Sequence, residues 1–327
     1  MTLGRRQVLG ALAAMAAGWR VPAAAQTGAW PQKSVRFVVG AAAGGSASDV
    51  VTRYYAEQMA QRSGQAVVVE NRPGADGNLA AEFVARAAPD AHTFLVTGNN
   101  THAANVHLYK SLSFDPDKDF APVTTYARVP YVLLANPNRV AARNLKDFIA
   151  HAKANPGKLS YASAAVASRV GVGQLKLMAG FEAMNVNYKS GAQAMSDLLG
   201  GHVDFYIADA ANGLQQAKAG RAVALAVTVA QRLQAAPELP TIAESGFPEF
   251  DFASWLAVWA PAGSPPAHVQ AASKAINDAL GSASGQQHLD KLGLLPYPGS
   301  PESLLALQRR ETERWGRAIR TAGLQAK

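Results

Sequence analysis

Short runs of β-branched and aromatic residues alternate with amphipathic stretches from Val35 onward. The run Val35 to Val39 is typical of a buried strand. After a glycine-rich turn, Val51, Tyr55 and Met59 recur at the spacing of one helix face. Strands that alternate with helices in this way predict β-α-β units and a mainly parallel sheet flanked by helices. The pattern places the chain in the α/β class.

Two series of this kind follow one another along the chain. Strands of the first are predicted at 35–39, 67–69 and 93–97, and strands of the second at 131–135, 159–162, 186–188, 203–208 and 223–228. The helices between them are predicted to end at glycines, among them Gly64, Gly180 and Gly220. A proline-rich loop follows, and a strand at 255–260 leads into a helical C-terminal part.

The length sets the expected number of domains. About 300 residues follow the first 26, enough for two medium domains. We expect one lobe to comprise 27–130 together with 253–327 and the other to comprise 131–252, with chain crossings near 128–135 and 250–260. Since ligand pockets favour domain interfaces, the expected site is a cleft between the lobes.

The first 26 residues carry the pattern of an export signal. A basic pair, Arg5 and Arg6, precedes an apolar stretch from Val8 to Ala17 and a small-residue run at 23–25. This pattern predicts a signal peptide and a periplasmic location for the remainder. The apolar stretch is shorter than the roughly twenty residues that a membrane-spanning helix needs. The twin arginine leaves both the general secretory route and the twin-arginine route open.

Composition removes several classes of function. The chain has no cysteine, which excludes disulfides, thiolate metal sites and cysteine nucleophiles. Its net charge of +8 falls to +5 once Arg5, Arg6 and Arg20 of the signal segment are removed. The remaining Lys and Arg are scattered rather than clustered, so no nucleic-acid partner is expected. The charge supports a mild attraction for anions.

The glycine-rich segment from Gly40 to Asp49 follows a predicted strand and opens a predicted helix. It has neither the Gly-Lys-Ser/Thr of a P-loop nor the G-x-G-x-x-G spacing of a dinucleotide site. Its small residues let backbone N–H groups approach an anion at a helix N-terminus, and a carboxylate suits such a position. The alternative is structural: Ser48 or Asp49 caps the helix and the glycines turn the chain.

A second small-residue loop, Ser163 to Arg169, lies between a predicted strand ending at Ala162 and the next helix. It repeats the same anion-binding arrangement in the other lobe. Arg169 is a candidate partner for a second ligand carboxylate through a charge-assisted pair. The alternative is that Arg169 is a solvated surface residue.

Catalytic and metal motifs are missing from the sequence. The seven histidines include no H-E-x-x-H and no i, i+4 pair, and no G-x-S-x-G nucleophile elbow occurs. We therefore expect no metal, no cofactor and no enzymatic activity. Trp255 and Trp259 are candidates for the cleft wall, although core packing is the preferred interpretation.

Five segments, in order, resemble the receptor family of the tripartite tricarboxylate transporters, also called Bug receptors. They read WPQKSVRFVVG at 30–40, VVVENRPGADGNLAAE at 67–82, LYKSLSFDPDKDFAPVT at 108–124, SDLLGGHVDFYIAD at 196–209 and LPTIAESGFPEF at 239–250. The resemblance implies a two-lobed periplasmic binding protein of type II, a Venus flytrap with a mixed, mainly parallel sheet in each lobe. It also implies closure on a small carboxylate, either a di- or tricarboxylate or an aromatic acid, held largely by main-chain groups and water.

Carried over by position, the resemblance implies ligand contacts in both lobes. The implied ligand-binding residues are Ala43, Gly44, Gly45, Ser46, Asp49, Thr97, Thr101, Ser163, Ala165, Ser168, Arg169 and Asp209. Among them Gly44, Gly45 and Asp49 match the glycine pair and the aspartate of the family. The implied partners are the carboxylate and the membrane permease subunits of the transporter, and the receptor is expected to be a monomer.

Departures from the family pattern fall in the expected cleft. Ala42 and Ala43 stand where prolines are usual, Asn187 begins a segment that is usually Pro-Tyr-Lys-Gly, and Arg169 replaces an uncharged polar residue. These differences leave the identity of the ligand open, and a cleft arginine favours a dicarboxylate. Two other functions remain as alternatives: an exported α/β enzyme acting on a small acid, and a sensor that contacts a signalling partner.

Overall fold

The structure is a computed structural model that describes residues 30–44, 46–164, 166–188, 190–321 and 326. The predicted signal peptide at 1–26 lies outside the described residues, as do two implied ligand contacts, Gly45 and Ala165. Within the described ranges no helix is long and apolar enough to cross a membrane.

Ten strands and ten α-helices make up the described part of the chain. The strands are β1 (Val35–Val39), β2 (Val67–Asn71), β3 (Thr93–Gly98), β4 (Phe120–Ala135), β5 (Ser160–Ser163), β6 (Met184–Asn187), β7 (Phe205–Asp209), β8 (Val223–Val227), β9 (Ala253–Pro261) and β10 (Leu295–Pro296). The helices are α1 (Ala47–Ser63), α2 (Asn78–Ala85), α3 (Asn105–Leu108), α4 (Leu145–Ala154), α5 (Val166–Ala179), α6 (Gly191–Leu199), α7 (Ala210–Lys218), α8 (Pro266–Gly281), α9 (Ala283–Lys291) and α10 (Pro301–Thr321). A 3-10 turn occupies Ala75–Gly77 and a π-helical turn occupies Asn100–Ala104.

The strands form one mixed sheet in each lobe. In the first lobe β1 pairs in parallel with β2 and β3, and β9 pairs antiparallel with β3 and with the first part of β4. In the second lobe β5 pairs in parallel with β6 and β7, and the last part of β4 pairs antiparallel with β7 and β8. This arrangement confirms the predicted two-lobed α/β fold. The antiparallel pairs all involve β4 or β9. The sheets therefore contain a larger share of antiparallel pairs than the mainly parallel arrangement predicted from the sequence.

Strand β4 belongs to both sheets. Its residues from Phe120 to Pro130 pair with β9, whereas those from Tyr131 to Ala135 pair with β7 and β8. The sequence predicted a strand only for 131–135. Pro122, Pro130 and two register shifts interrupt the alternation of the first part, because proline cannot donate to a neighbouring strand.

Apolar periodicity places β1 and α1 in the core of the first lobe. Phe37, Val38 and Val39 have no exposed surface, and the Phe37 ring meets the Tyr55 ring edge-on at a centroid distance of 5.0 Å. The helix ends, as predicted, before Gly64, whose φ of 68° lies in the left-handed region that glycine adopts without strain. This packing holds the N-terminus of α1 beside the end of β1.

Trp255 and Trp259 on β9 are core residues, which confirms the preferred interpretation. Their side chains are buried. Successive side chains of a strand point to opposite faces, so their neighbours Ser254 and Leu256 reach the cleft instead.

Candidate functional site

A cleft lies where strand ends of both lobes meet, and it consists of two cavities that share Tyr131. The first cavity, of about 240 Å³, is lined by the loop after β1, the end of β3, the lobe-crossing strands and the start of α5. The second cavity, of about 800 Å³, lies along α6 and α7 of the second lobe and extends from their first turns to their C-terminal ends. The two cavities together offer room for a ligand with two functional ends.

The loop after β1 brings two serines to the first cavity. Ser46 is the N-cap of α1, since its Oγ accepts a hydrogen bond from Asp49 N at 3.2 Å. The Ser48 Oγ lies 3.1 Å from the Ser46 Oγ. The cap is therefore Ser46, which corrects the expectation that Ser48 or Asp49 caps this helix. Both serines line the cavity at the positive end of the α1 dipole.

Asp49 is the buried support of this loop. Its Oδ2 accepts hydrogen bonds from Gly44 N at 2.7 Å and Arg53 Nε at 3.1 Å. Its Oδ1 accepts from Asn71 Nδ2 at 2.8 Å and Arg53 Nη2 at 3.0 Å. The side chain is fully buried and lies outside the first cavity. Four donors thus fix the carboxylate, and through it the loop.

The charge of Asp49 is compensated inside the protein. Burial alone would raise the pKa of this carboxyl, but hydrogen bonds from Arg53, Gly44 and Asn71, together with the Arg53 charge, hold the pKa below its ordinary value. The carboxylate is ionised at neutral pH as a result.

Two further implied contacts of this loop also lie outside the first cavity. Ala43 and Gly44 are exposed, and neither contributes to the cavity lining. The Gly44 N–H is bonded to Asp49 Oδ2, so this donor holds the loop.

A strained turn forms another part of the wall. Ala75 and Asp76 have φ of 47° and 55°, a region that residues other than glycine seldom adopt. Asp76 lines the first cavity, and its Oδ2 accepts a hydrogen bond from the Tyr109 hydroxyl at 2.7 Å. Backbone strain of this kind persists where surrounding contacts enforce it, often at ligand sites. This turn was not among the elements predicted from the sequence.

The end of β3 contributes Thr97. Of the two threonines implied as contacts, Thr97 lines the first cavity, whereas Thr101 is fully buried. Their Oγ1 atoms lie 2.8 Å apart. Thr101 therefore forms a hydrogen bond with Thr97 from the core side and does not itself reach the cavity.

The second small-residue loop is held by its serines. Ser163 is buried, and its hydroxyl donates to Asn185 Oδ1 at 2.6 Å. Ser168 Oγ accepts from Ala164 N at 3.2 Å. Ser168 and Ala164 line the second cavity while Ala167 lines the first. Helix α5 therefore starts between the two cavities.

Arg169 lies outside both cavities. Its Nη2 donates to Asn187 Oδ1 at 2.8 Å, at the end of the edge strand β6. Successive residues of a helix are about 100° apart around its axis. Ala167 and Ser168 face the cleft, so the Arg169 side chain points away from it. The geometry gives Arg169 a role in fixing β6 against α5.

Asp209 and Ser190 cap the two helices that start at the second cavity. The Asp209 Oδ1 accepts from Asn212 N at 3.0 Å, and the Ser190 Oγ accepts from Gln193 N at 3.2 Å. Both capping residues lie in the wall of the second cavity. The caps orient α7 and α6 with their first turns toward the cleft.

Two residues on the strands that cross between the lobes also line the site, and neither was predicted as a ligand contact from the sequence. The Tyr131 hydroxyl lies 2.7 Å from the Ser254 Oγ, and both residues line the first cavity. Burial raises the pKa of Tyr131 to about 12, so the phenol is neutral and able to donate. The sequence marked the two crossings, but not which side chains face the cleft.

Helix N-termini dominate the chemistry of the cleft. Helices α1, α5, α6 and α7 all begin in its walls. The free N–H groups and positive dipole of a first turn favour an anion, by about 0.3–1 kcal/mol at an exposed terminus. No group of His, Asp and Glu in the described ranges has the arrangement of a metal site. The cleft is suited to carboxylates.

Two α/β lobes, with crossing strands between them and a ligand-sized cleft where they meet, define a two-lobed binding protein of the type II class.

The chain belongs to the tripartite tricarboxylate transporter family of receptors, whose family model, described as "Tripartite tricarboxylate transporter family receptor", matches residues 51–324. The protein BugT of Bordetella pertussis is 32% identical over 314 residues, which cover 95% of this chain and 95% of BugT. This relationship confirms the resemblance found in the sequence.

Solved structures of relatives share the fold. An R. palustris protein solved with adipate is 34% identical with a TM-score of 0.82, and the match covers 91% of this chain and 100% of that one. MatC from Rhodopseudomonas palustris, solved with bound malate, is 31% identical with a TM-score of 0.75, covering 89% of this chain and 100% of MatC. Both relatives hold small dicarboxylates.

Proposed function

We propose that this protein is an exported receptor that captures a small carboxylate in the interlobe cleft and delivers it to the membrane permease of a tripartite tricarboxylate-type transporter. The observation that carries the proposal is the convergence of helix N-termini from both lobes on one cleft, in a chain of this receptor family. Relatives that hold adipate and malate support a dicarboxylate as the ligand class.

One carboxylate fits the first cavity. The Ser46 and Ser48 hydroxyls, the first turn of α1 and the Thr97 side chain surround it. These groups are neutral donors, and oriented N–H and O–H donors bind a carboxylate without a cationic side chain. Asp49 and Gly44 serve this cavity by holding the loop in place.

A second carboxylate fits the second cavity. Arg221 lies in its wall, and it has no ion-pair partner among the described residues. The first turns of α6 and α7 offer donors at the other end of this cavity, because Arg221 follows the C-terminal end of α7. We therefore propose Arg221, which lines a cavity, in place of the candidate Arg169 as the charged partner of a second carboxylate.

Closure would take place where β4 and the start of β9 cross between the lobes. We place the lobe boundaries there, with 27–130 and 253–327 on one side and 131–252 on the other. A ligand that contacts both lobes binds the closed state more tightly and so shifts the population toward it.

Export through the 1–26 segment, a monomeric state and the lack of turnover belong to the same proposal.

Thermal unfolding of the mature chain tests the proposal. The chain is unfolded and refolded to strip co-purified ligand, and then mixed with adipate, malate, benzoate or the neutral diamide of adipate. A true ligand at 100 times its Kd adds about 2.7 kcal/mol of stability. We expect a rise in Tm with at least one acid and none with the diamide. No shift with any acid, or an equal shift with the diamide, would count against a carboxylate receptor.

Mass spectrometry separates a receptor from an enzyme. The bound acid is recovered after prolonged incubation with the protein. An unchanged mass supports binding without turnover, and a converted product would establish the enzyme alternative.

A further inference from the structure

A row of three polar side chains leads from the cleft into the core of the first lobe. Thr97 lines the first cavity, and its Oγ1 lies 2.8 Å from the Thr101 Oγ1. The Thr101 Oγ1 in turn lies 2.8 Å from Nδ1 of His102. Thr101 and His102 have no exposed surface. The π-helical turn after β3 brings the three residues into line.

The environment of the His102 ring decides which nitrogen carries the proton. The ring stacks on the Trp259 indole at a centroid distance of 3.9 Å, and its Nε2 is buried with no hydrogen-bond partner among the described residues. Burial lowers the pKa of His102 to about 3, so the ring is neutral and has a single N–H. A proton on Nε2 would be buried without an acceptor, whereas a proton on Nδ1 has the Thr101 hydroxyl oxygen within hydrogen-bond distance. The proton therefore belongs on Nδ1, where Thr101 accepts it.

This proton sets the direction of the other two hydrogen bonds. Thr101 accepts from His102, so its own hydroxyl proton points to its second neighbour, the Thr97 Oγ1. Thr97 then acts as an acceptor toward Thr101. Its own proton has no acceptor within the described part of the chain. The Thr97 hydroxyl proton is therefore free to be donated to an acceptor atom that enters the cavity.

We propose that His102 is a positioning residue that orients the Thr97 hydroxyl proton toward the cavity, where it donates a hydrogen bond to a carboxylate oxygen of the cleft ligand. The inference rests on the proposed function, because it requires an acceptor atom in the first cavity. It keeps Thr97 as the ligand contact that the resemblance implies, and it gives a supporting role to Thr101 and His102, which the ligand does not touch. At this point the cleft presents an oriented hydroxyl proton to an acceptor atom of the ligand.

The tautomer is measured first, on the free protein. A long-range ¹H–¹⁵N spectrum of the ¹⁵N-labelled mature chain distinguishes a protonated Nδ1 from a protonated Nε2, and the His102→Phe variant identifies the signal by its loss. We expect His102 to be protonated at Nδ1 only. A proton on Nε2 would overturn the inference whether or not any ligand binds.

Binding is measured next, by calorimetry with adipate or malate, whichever stabilises the wild-type protein. Loss of a hydrogen bond to a charged group weakens binding by about tenfold or more, and we expect this loss for Thr97→Val and near-wild-type affinity for Thr97→Ser. Thr101→Val keeps the shape of the buried residue and should also weaken binding, by about threefold, while shifting the His102 signal. Equal Tm values for the free variants exclude a folding defect.

The outcomes separate the two proposals. The wild-type protein could bind an acid with the same affinity as Thr97→Val and Thr101→Val. This result would overturn the proposed role of the hydrogen-bonded row and leave the receptor proposal intact. If the wild-type protein bound none of the acids, the receptor proposal would be wrong. The spectrum of the free protein would then be the only test of the hydrogen-bond directions along Thr97, Thr101 and His102.

Discussion

The Thr228 hydroxyl donates a hydrogen bond of 2.7 Å to the Phe252 carbonyl oxygen, and so ties together the two segments that cross between the lobes. The Thr228 Oγ1 also accepts from Tyr131 N at 3.0 Å, in β4. Thr228 is fully buried. One hydroxyl therefore satisfies backbone groups of both crossings.

Replacement of Thr228 by Val should destabilise the chain. Valine has the same shape without the hydroxyl, so the Phe252 carbonyl and the Tyr131 N–H lose this buried partner. The expected cost is about 1–3 kcal/mol in the free energy of unfolding, measured by urea denaturation. Thr228→Ser keeps the hydroxyl and is the matched control. An unchanged urea midpoint for the valine variant would show that the crossings do not depend on this bond.

Asp49→Asn should lower stability in a pH-dependent way. The folded-state pKa of Asp49 is lowered, so its contribution is complete above the unfolded-state value, near 3.8, and is lost as pH falls through the folded-state pKa. We expect the variant to be less stable by about 1–3 kcal/mol at pH 7. The difference from wild type should shrink as the pH falls below about 4. Urea midpoints collected from pH 3 to 7 measure this, and a pH-independent difference would contradict it.

Arg221→Ala and Arg169→Ala form a matched pair of charge deletions. Arg221 lines the second cavity, whereas Arg169 bonds to Asn187 outside both cavities. We expect Arg221→Ala to weaken a dicarboxylate about tenfold and to leave a monocarboxylate of similar size nearly unchanged. Arg169→Ala should affect both acids equally. Calorimetry with the two acids decides between the arginines, and the reverse pattern would restore the original expectation for Arg169.

Gly98→Ala should disrupt the cleft wall. A Cβ at this position would lie 1.8 Å from the Trp255 carbonyl oxygen, because β3 and β9 approach closely here. Relief requires movement of the strand backbone, with an expected cost of about 3 kcal/mol or more. Gly281→Ala, which meets nothing within 4 Å, is the control, with an expected effect within about 0.5 kcal/mol. Similar melting temperatures for the two variants would show that the strands adjust freely.

Local signals in the sequence predicted most of the elements. Glycines marked the ends of α1 and α5, since Gly64 and Gly180 have φ of 68° and 67°. The apolar run at 35–39 matched β1, which pairs with a strand on each side and has four of its five residues buried. Fold class and family followed from the order of such segments.

Long-range contacts explain what the sequence did not reveal. Asp49 is bonded to Asn71, 22 residues away, and this bond helps to turn its carboxylate into the protein. Asp76, at its positive φ, accepts a hydrogen bond from Tyr109, which lies 33 residues away in the sequence. A loop residue contacts the ligand or supports the loop according to its hydrogen-bond partners. These partners are distant in the chain, and a single sequence does not reveal which residues form such bonds.

The shared strand β4 has a thermodynamic consequence for the whole molecule. One hydrophobic cluster joins residues on both sides of the crossing, among them Leu95 and Trp259 in the first lobe and Leu133 and Phe148 in the second. Unfolding of either lobe would break strand pairing and packing in the other, so the chain is expected to melt in a single cooperative transition. A substitution in one lobe then lowers the melting temperature of both, and a ligand bound between them stabilises every residue of the fold.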